Sequence, residues 1–315
     1  MALNVEIWKS YIQEKLFKDS EFLNYAKDTS GEVIKGKIVH IPNAGDPPSV
    51  VRNRTNVPAS VSKRTDSDVV YLLDEFTTDP TYIDNIEQVE MSYNKIDSVI
   101  GSHMNKLIET VGDWMIYNWL SKNANTSTTT PVAFSANTYV SCSGTSTGSG
   151  YSPNSQSLKS LAIADVAKAR FIMNSNNVPK ENRFLLLPST MYDELIAALS
   201  ATTVANNELI KAADLPAGVV MRLFGFNILE RSSVALMTKS TPTVVAPGTT
   251  ETSSHGYAAI AWQQDMVEKA VGDIQMFEKV GDPTVYGNQY SALVRSGGRA
   301  VYSSALGVVP IVQTA

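Results

Sequence analysis

VIKGKIVHIPNAGDPPSVVRNRTNVPASVSKRTDSDVVYLLDEF, residues 33–76, leads within twenty positions into NKIDSVIGSHMNKLIETVGDWMIYNWL, residues 94–120. Valine-rich flanks, Val33 to Ile41 and Val69 to Phe76, enclose a tip from Pro42 to Arg64 that is rich in Pro, Asn and Arg. Pro42, Pro47, Pro48 and Pro58 fall in and near that tip, where a lost backbone donor is tolerated. The pattern predicts a long polar hairpin. A two-stranded hairpin carries too little apolar surface to stand alone. It must lie on another surface, which points away from a catalytic domain and towards a protein that interlocks with copies of itself.

Directly after the hairpin, Ile96, Val99, Ile100, His103, Met104, Leu107, Ile108, Val111, Met115 and Trp119 recur at helical spacing. They predict one helix over 94–120, roughly 40 Å long at 1.5 Å per residue, with Ser92 placed to cap it. Upstream, Trp8, Tyr11, Ile12 and Leu16 predict an amphipathic helix within 4–23, which Gly31 ends.

Charge is segregated along this region. From Gly31 to Arg64, six cations (Lys35, Lys37, Arg52, Arg54, Lys63, Arg64) face two acids, a net of +4. From Thr65 to Met115, eleven acids, among them Asp74, Glu75, Glu87 and Glu90, face Lys95 and Lys106, a net of -9. A basic tip beside an acidic base suits head-to-tail docking between identical subunits. Two solvated faces are the plainer explanation of the same charges. The docking reading selects Arg52, Arg54, Lys63, Arg64, Asp74, Glu75, Glu87 and Glu90 as inter-subunit contacts.

Downstream, residues 121–157 and 238–254 are Ser/Thr/Asn/Gly-rich and read as loops or surface insertions. Between them the pattern predicts a helix over 158–173, a buried strand over 183–187, a helix opening at Ser189, and one or two strands around Gly225. Strands follow at 257–263, 274–277, 290–295 and 300–312. The class is α+β, without a regular βαβ succession.

The 315 residues carry a formal net charge of -5 and a pI of about 5.3, with 18% charged and 43% hydrophobic residues. That composition is globular, and it lacks the basic excess of a dedicated nucleic-acid binder. A single cysteine, Cys142, excludes an internal disulfide. It is expected as an unpaired, non-catalytic thiol in a polar loop. No run of the sequence approaches the roughly 20 apolar residues of a membrane span, and the first twenty residues are too charged for a secretory signal.

Chemical motifs are weak. His40, His103 and His255 are scattered, and no His/Glu spacing suits a metal; His103 reads as a core or interface residue. Ser92 and Lys95 fit a Ser-x-x-Lys pattern without its companion triplets, so a cytosolic Ser/Lys hydrolase is a distant alternative. No catalytic residue, cofactor or metal is expected.

The order of elements resembles the major capsid proteins of tailed bacteriophages, the Hong Kong 97 type. Val178 to Pro188 with Tyr192 and Leu195, the Leu223 to Ile228 segment around Gly225, and Ala292 to Val309 through Gly297-Gly298 look like stretches of that family. Gly36 to Pro42 and Thr78-Asp79-Pro80 are similar to capsid proteins of Bacteroidetes phages and prophages. The resemblance implies an N-terminal arm (1–30), an extended hairpin loop (31–80) and a peripheral domain with a spine helix (81–125 and 257–300). It also implies an axial domain (126–256 and 301–315). It implies an icosahedral shell in the virion, assembled in the host cytoplasm from hexamers and pentamers, around double-stranded DNA held without sequence-specific binding. Implied partners are a portal, a separate scaffolding protein and decoration proteins; because the arm begins almost at Met1, a mature form or a separate scaffold is expected. An encapsulin-type nanocompartment keeps the fold and changes the cargo. Some members weld subunits by a Lys–Asn bond; Lys35, Lys37, Lys63 and Asn288 are present here, and nothing selects a pair.

Overall fold

The computed structural model describes residues 17–32, 38–84, 95–121, 131–146, 157–200, 219–282, 284 and 286–314. Within them the expected hairpin is present. Ile38–Asn43 pairs antiparallel with Ser67–Leu72, Ile38 opposite Leu72 and Asn43 opposite Ser67. Alternation sets its faces: Val39, Ile41, Val69 and Tyr71 are buried with Leu73 and Ala270, while His40 points outward. The hairpin root therefore lies on the chain's own sheet, fixed by Asn43 Nδ2 to the Val301 carbonyl (3.0 Å) and Arg299 Nη1 to the Val70 carbonyl (3.0 Å).

The predicted long helix is α1, Lys95–Leu120, 26 residues or about 39 Å. Its stripe divides along its length. Met115, Ile116, Trp119 and Leu120 enter the main core, and Leu107 and Val111 pack on Ala292 and Val294. Met104 and Ile108, on the same stripe, stay exposed. Ser92, the expected cap, lies outside the described residues. So do residues 1–16 of the expected N-terminal helix; of the rest, 17–20 are irregular and Glu21–Tyr25 forms a 3-10 turn.

Two sheets flank α1. One has six strands built around Gly287–Ala300, which pairs with Val267–Val271, Gln275–Asp282, Asp74–Thr77 and Thr81–Asp84; Lys27–Asp28 adds to Val267–Val271. The second has seven strands, with Val308–Val312, His255–Gln263, Arg183–Pro188 and Phe226–Arg231 at its centre. Arg183–Pro188 and Phe226–Arg231 are parallel, so the chain between them crosses over. It does so through α3, Ser189–Ser200, after α2, Ile163–Ser175. Every residue of Arg183–Pro188 is buried because the strand serves two cores. Phe184 and Leu186 face one, and Leu185 and Leu187 face the other with α2 and α3.

Several boundaries differ from the sequence pattern. His255–Gln263 belongs to the seven-stranded sheet, whereas 257–300 was expected to be peripheral throughout. Asp74–Thr77, expected as hairpin flank, instead pairs with Val294 and its neighbours in the six-stranded sheet. The expected strand over 300–312 is regular only at Val308–Val312, since 301–307 turns through positive φ at Ala305 and Gly307. The strand Ala235–Thr238 was not foreseen. Around Gly225, where one or two strands were expected, two form a hairpin with Phe224 (φ 50°) and Gly225 (φ 84°) as its turn.

An aromatic cluster joins the sheets to α1. Trp119 and Trp262 lie 5.6 Å apart, Phe22 meets Trp119 edge-on at 5.9 Å, and Phe184 stacks on Trp262 at 5.7 Å and on Tyr25 at 4.3 Å. Both indole N–H groups are satisfied by carbonyls, Trp119 by Glu268 and Trp262 by Tyr25. Such rings bury large areas and gain from offset and edge-on geometry.

Candidate assembly surface

Between the paired strands, the chain from Ala44 to Asp66 forms no strand and is exposed throughout except for half-buried Gly45. Val50, Val57 and Val61 are 94%, 83% and 98% exposed. An isolated exposed valine is ordinary; three on a projecting tip beside Arg52, Arg54 and Lys63 are a surface built for cover. Among the described residues those three cations form no ion pair. Arg64 differs: its guanidinium forks onto Asp66 (2.7 and 3.0 Å). That contact and the Gly45 N–H hold the Asp66 carboxyl below the usual range. Arg64 thus shapes the tip from within.

The acidic base is less free than its sequence count implies. Glu75 accepts from Arg295 Nε and Nη2 (3.0 and 2.7 Å), its cross-strand partner. Asp68 meets His40 Nδ1 at 2.8 Å. Glu109 takes Lys106 at 3.0 Å, and Asp113 takes Lys18 and Arg231. Apart from Lys106, three positions from Glu109, these partners come from positions distant in sequence, which a local charge count cannot see. Asp74, Asp79 and Asp84 complete the described acids near the hairpin root, with Asp74 and Asp79 exposed. Glu87 and Glu90 lie outside the described residues.

Asp113 is a joint that sequence reading missed, having counted it only as surface acid. The Arg231 guanidinium is almost wholly buried; its Nη1 donates to Asp113 (2.5 Å), its Nε to the Asp19 carbonyl (2.7 Å), and it lies over the Phe22 ring at 5.5 Å. The arm, α1 and the seven-stranded sheet meet there. Beside it lies a crevice of about 190 Å3 lined by Lys18, Asp113, Tyr117, Glu251 and Tyr257.

The remaining chemical candidates resolve into structure. His103 is buried, with Nδ1 2.8 Å from Thr78 Oγ1, and burial pushes its pKa down. Cys142 is in the core, not in an exposed polar loop; burial first, then Asp165 and Glu194, push its thiol well up, away from the reactive thiolate. Asp165 is fully buried, accepting from Ser143 N and Oγ and from Ala162 N, and so ties that loop to the start of α2. Asn288 Oδ1 accepts from Gly281 N (3.0 Å), and Lys35 and Lys37 lie outside the described residues. No cluster of metal-ligating side chains exists among the described residues. Nor is any helix among them long and apolar enough to cross a membrane.

Residues 29–292 match the family model described as phage capsid protein. No curated protein sequence matches the chain. Solved structures match nearly all of it at low identity. One titled Mycobacterium phage Che8 has TM-score 0.65 and 16% identity, covering 98% of this chain and 97% of its own. The cyanophage Pam1 capsid asymmetric unit gives 0.68 and 11%, covering 98% and 96%. The capsid of a native GTA particle gives 0.63 and 11%, covering 99% and 96%. At these identities the likeness is one of fold, the Hong Kong 97 type expected from the sequence.

Proposed function

The chain belongs to the phage capsid protein family and is a major capsid protein, and from that premise we propose how its subunits close a shell. Copies form hexamers and pentamers of an icosahedral container around double-stranded DNA. The hairpin tip of one subunit lies over the acidic root and α1 of the next. The observation that carries this is the uncovered tip: exposed valines with Arg52, Arg54 and Lys63, projecting from a root that is itself buried on the chain's own sheet.

The receiving surface has matching chemistry. Exposed Met104 and Ile108 on α1 offer apolar cover, and Asp74 and Asp79 offer charge. Glu87 and Glu90 would extend that acidic face. Burial of such contacts over a standard-sized interface, repeated around each ring, supplies the stability of a shell without any single site. Assembly belongs to the host cytoplasm, with a portal, a scaffolding protein and decoration proteins as partners. The arm (1–30), hairpin (31–80), peripheral and axial parts then act as separate contact-making units.

The test is negative-stain electron microscopy of the purified chain, alone and with its scaffold, with nuclease-protected nucleic acid assayed in the particles. Closed shells are expected. A chain that stays monomeric at high concentration under every assembly condition overturns the reading.

A further inference from the structure

The two ends of the central strand Arg183–Pro188 carry opposite charge. Where the strand begins, Arg170, Asn174, Lys180, Arg183, Phe224 and Gly225 line a recess of about 470 Å3. Arg222, whose Nε donates to Asn227 Oδ1 (2.7 Å), stands beside the same turn. Glu181 and Asp265 are the acids at this end, and neither lines the recess. Among the described residues none of the four cations forms an ion pair. Arg183 is almost fully buried and held by neutral acceptors alone: Nε donates to the Pro179 carbonyl (2.7 Å), Nη2 to the Val178 carbonyl (2.6 Å) and Nη1 to Asn174 Oδ1 (2.9 Å). Burial first, then the nearby Arg170 charge, lower its pKa. The guanidinium is fixed in place without a counter-charge.

Where the strand ends, the charge is reversed. Asp193 lies exposed one turn into α3, and Glu230 is in the neighbouring strand, opposite Leu187. Both lie near Tyr192, whose phenol pKa is raised by burial first, then by Glu230 and Asp193. Among the described residues neither carboxylate forms an ion pair, and the adjacent cation, Arg231, is taken by Asp113. Each helix adds an uncovered apolar side chain: Phe171, next to Arg170 on α2, is 71% exposed, and Ile196, three positions after Asp193 on α3, is 38% exposed. The two ends are about 17 Å apart along the strand. That is twice the Debye length of about 8 Å at physiological salt, so they do not neutralise one another within a chain.

We propose that these ends are the two halves of one contact between copies of this chain: the Arg170, Lys180 and Arg183 end of one subunit docks on the Asp193 and Glu230 end of the next. Charge complementarity names the occupant, since every copy carries both the unanswered cations and the unanswered carboxylates. A contact between different patches of identical chains is heterologous, and it closes into a ring when the rotation per step divides a full turn. The inference rests on the capsid reading for rings of five and six. It adds to the hairpin a second head-to-tail joint, made by the seven-stranded sheet and its helices.

The experiment mixes charge-reversed full-length chains. Arg170→Glu/Lys180→Glu makes the cationic end acidic, and Asp193→Lys/Glu230→Lys makes the acidic end basic. Each alone should be folded by circular dichroism yet lose its rings in negative stain, because like charges meet at every contact. Mixed in equal amounts, the two alternate, and every contact again joins opposite charges. An alternating ring needs an even number of subunits, so the mixture should give hexamers without pentamers or closed shells. The chain carrying all four changes should restore closed shells. Shells from either reversed chain alone overturn the proposal, including shells that form without protected DNA, which would assign the recess to phosphate groups. A mixture and a four-change chain that both stay unassembled while folded overturn it too. Should a reversal prevent folding, Arg170→Gln/Lys180→Gln and Asp193→Asn/Glu230→Gln replace it. Each should raise the chain concentration at which rings appear, and an unchanged threshold in both overturns the contact. Normal shells from unmodified and reversed chains alike sink this contact only, whereas absence of shells from the unmodified chain sinks the capsid mechanism.

Discussion

The Asp113 carboxylate accepts a 2.5 Å hydrogen bond from Arg231 Nη1 across 118 positions of sequence, tying α1 to the seven-stranded sheet. Lys18 Nζ, 3.0 Å from the other carboxylate oxygen, brings in the arm. Asp113→Asn leaves the buried guanidinium without its counter-charge. Breaking a buried pair this way costs about 3–5 kcal/mol, and residual solvent access at Asp113 lowers the expected loss to about 2–3 kcal/mol. Urea denaturation of the unassembled chain reads it as a lower midpoint. Asp113→Asn/Arg231→Met should lose less than Asp113→Asn alone, because the stranded charge is gone. A loss in Asp113→Asn below about 0.5 kcal/mol would show that the joint is held by packing alone.

Two glycines should respond in opposite directions to the same substitution. A Cβ on Gly298 would meet both the Glu268 carbonyl and Met115 Sδ at 2.4 Å, where α1 crosses the long strand. Gly298→Ala is expected to cost about 1–3 kcal/mol, and trimming Met115 should not restore it, since the carbonyl remains. Gly101, in the interior of α1, has nothing within 4 Å of an added Cβ. Gly101→Ala should stabilise the chain by about 0.5–1 kcal/mol. Thermal melts of the two variants beside the parent decide both.

His103 makes α1 sensitive to acid. Burial lowers its folded pKa below the ordinary value, about 6.5. The folded state therefore prefers the neutral ring, and the stability this contributes is present above the unfolded pKa. It is lost as pH falls through the depressed folded value. Stability measured from pH 7.5 downward should decline below about 6.5 more steeply in the parent than in His103→Gln, which keeps a polar group facing Thr78 without a titrating ring. Parallel profiles for the two would remove His103 from the acid response.

What the sequence made legible follows from how local each signal is. The Ile96-to-Trp119 stripe specified α1, because helix periodicity is written in consecutive residues. The Phe224-Gly225 turn was equally readable from neighbouring apolar runs around a glycine. Which sheet a strand joins is not local. Asp74–Thr77 reads as a continuation of the hairpin until its pairing with Leu293 to Ser296 is known. The same holds for charge: Asp113 and Glu75 count as surface acids until Arg231 and Arg295, more than a hundred positions away, arrive beside them. Cys142 misled for a related reason, since its Ser/Thr-rich neighbours suggested exposure while hydrogen bonds from Ser143 to buried Asp165 draw the loop inward.

Reversing Arg52 and Arg54 to Glu tests the tip as an assembly surface. Both side chains are exposed and form no ion pair among the described residues, so folding should be nearly indifferent, with a urea midpoint shift equivalent to less than about 0.5 kcal/mol. Assembly should suffer far more. The approach of tip to acidic root becomes repulsive, which slows association most at low ionic strength and least where salt screens the charges. Sedimentation at two salt concentrations, with electron microscopy of the products, distinguishes steering from specific pairing. If added salt restores normal shells, the two arginines guide the encounter. If shells remain absent at all salt concentrations while the chain is folded, they make contacts that the closed shell requires. Normal shells at low salt would remove electrostatics from the tip's role and leave the exposed valines Val50, Val57 and Val61 to carry it.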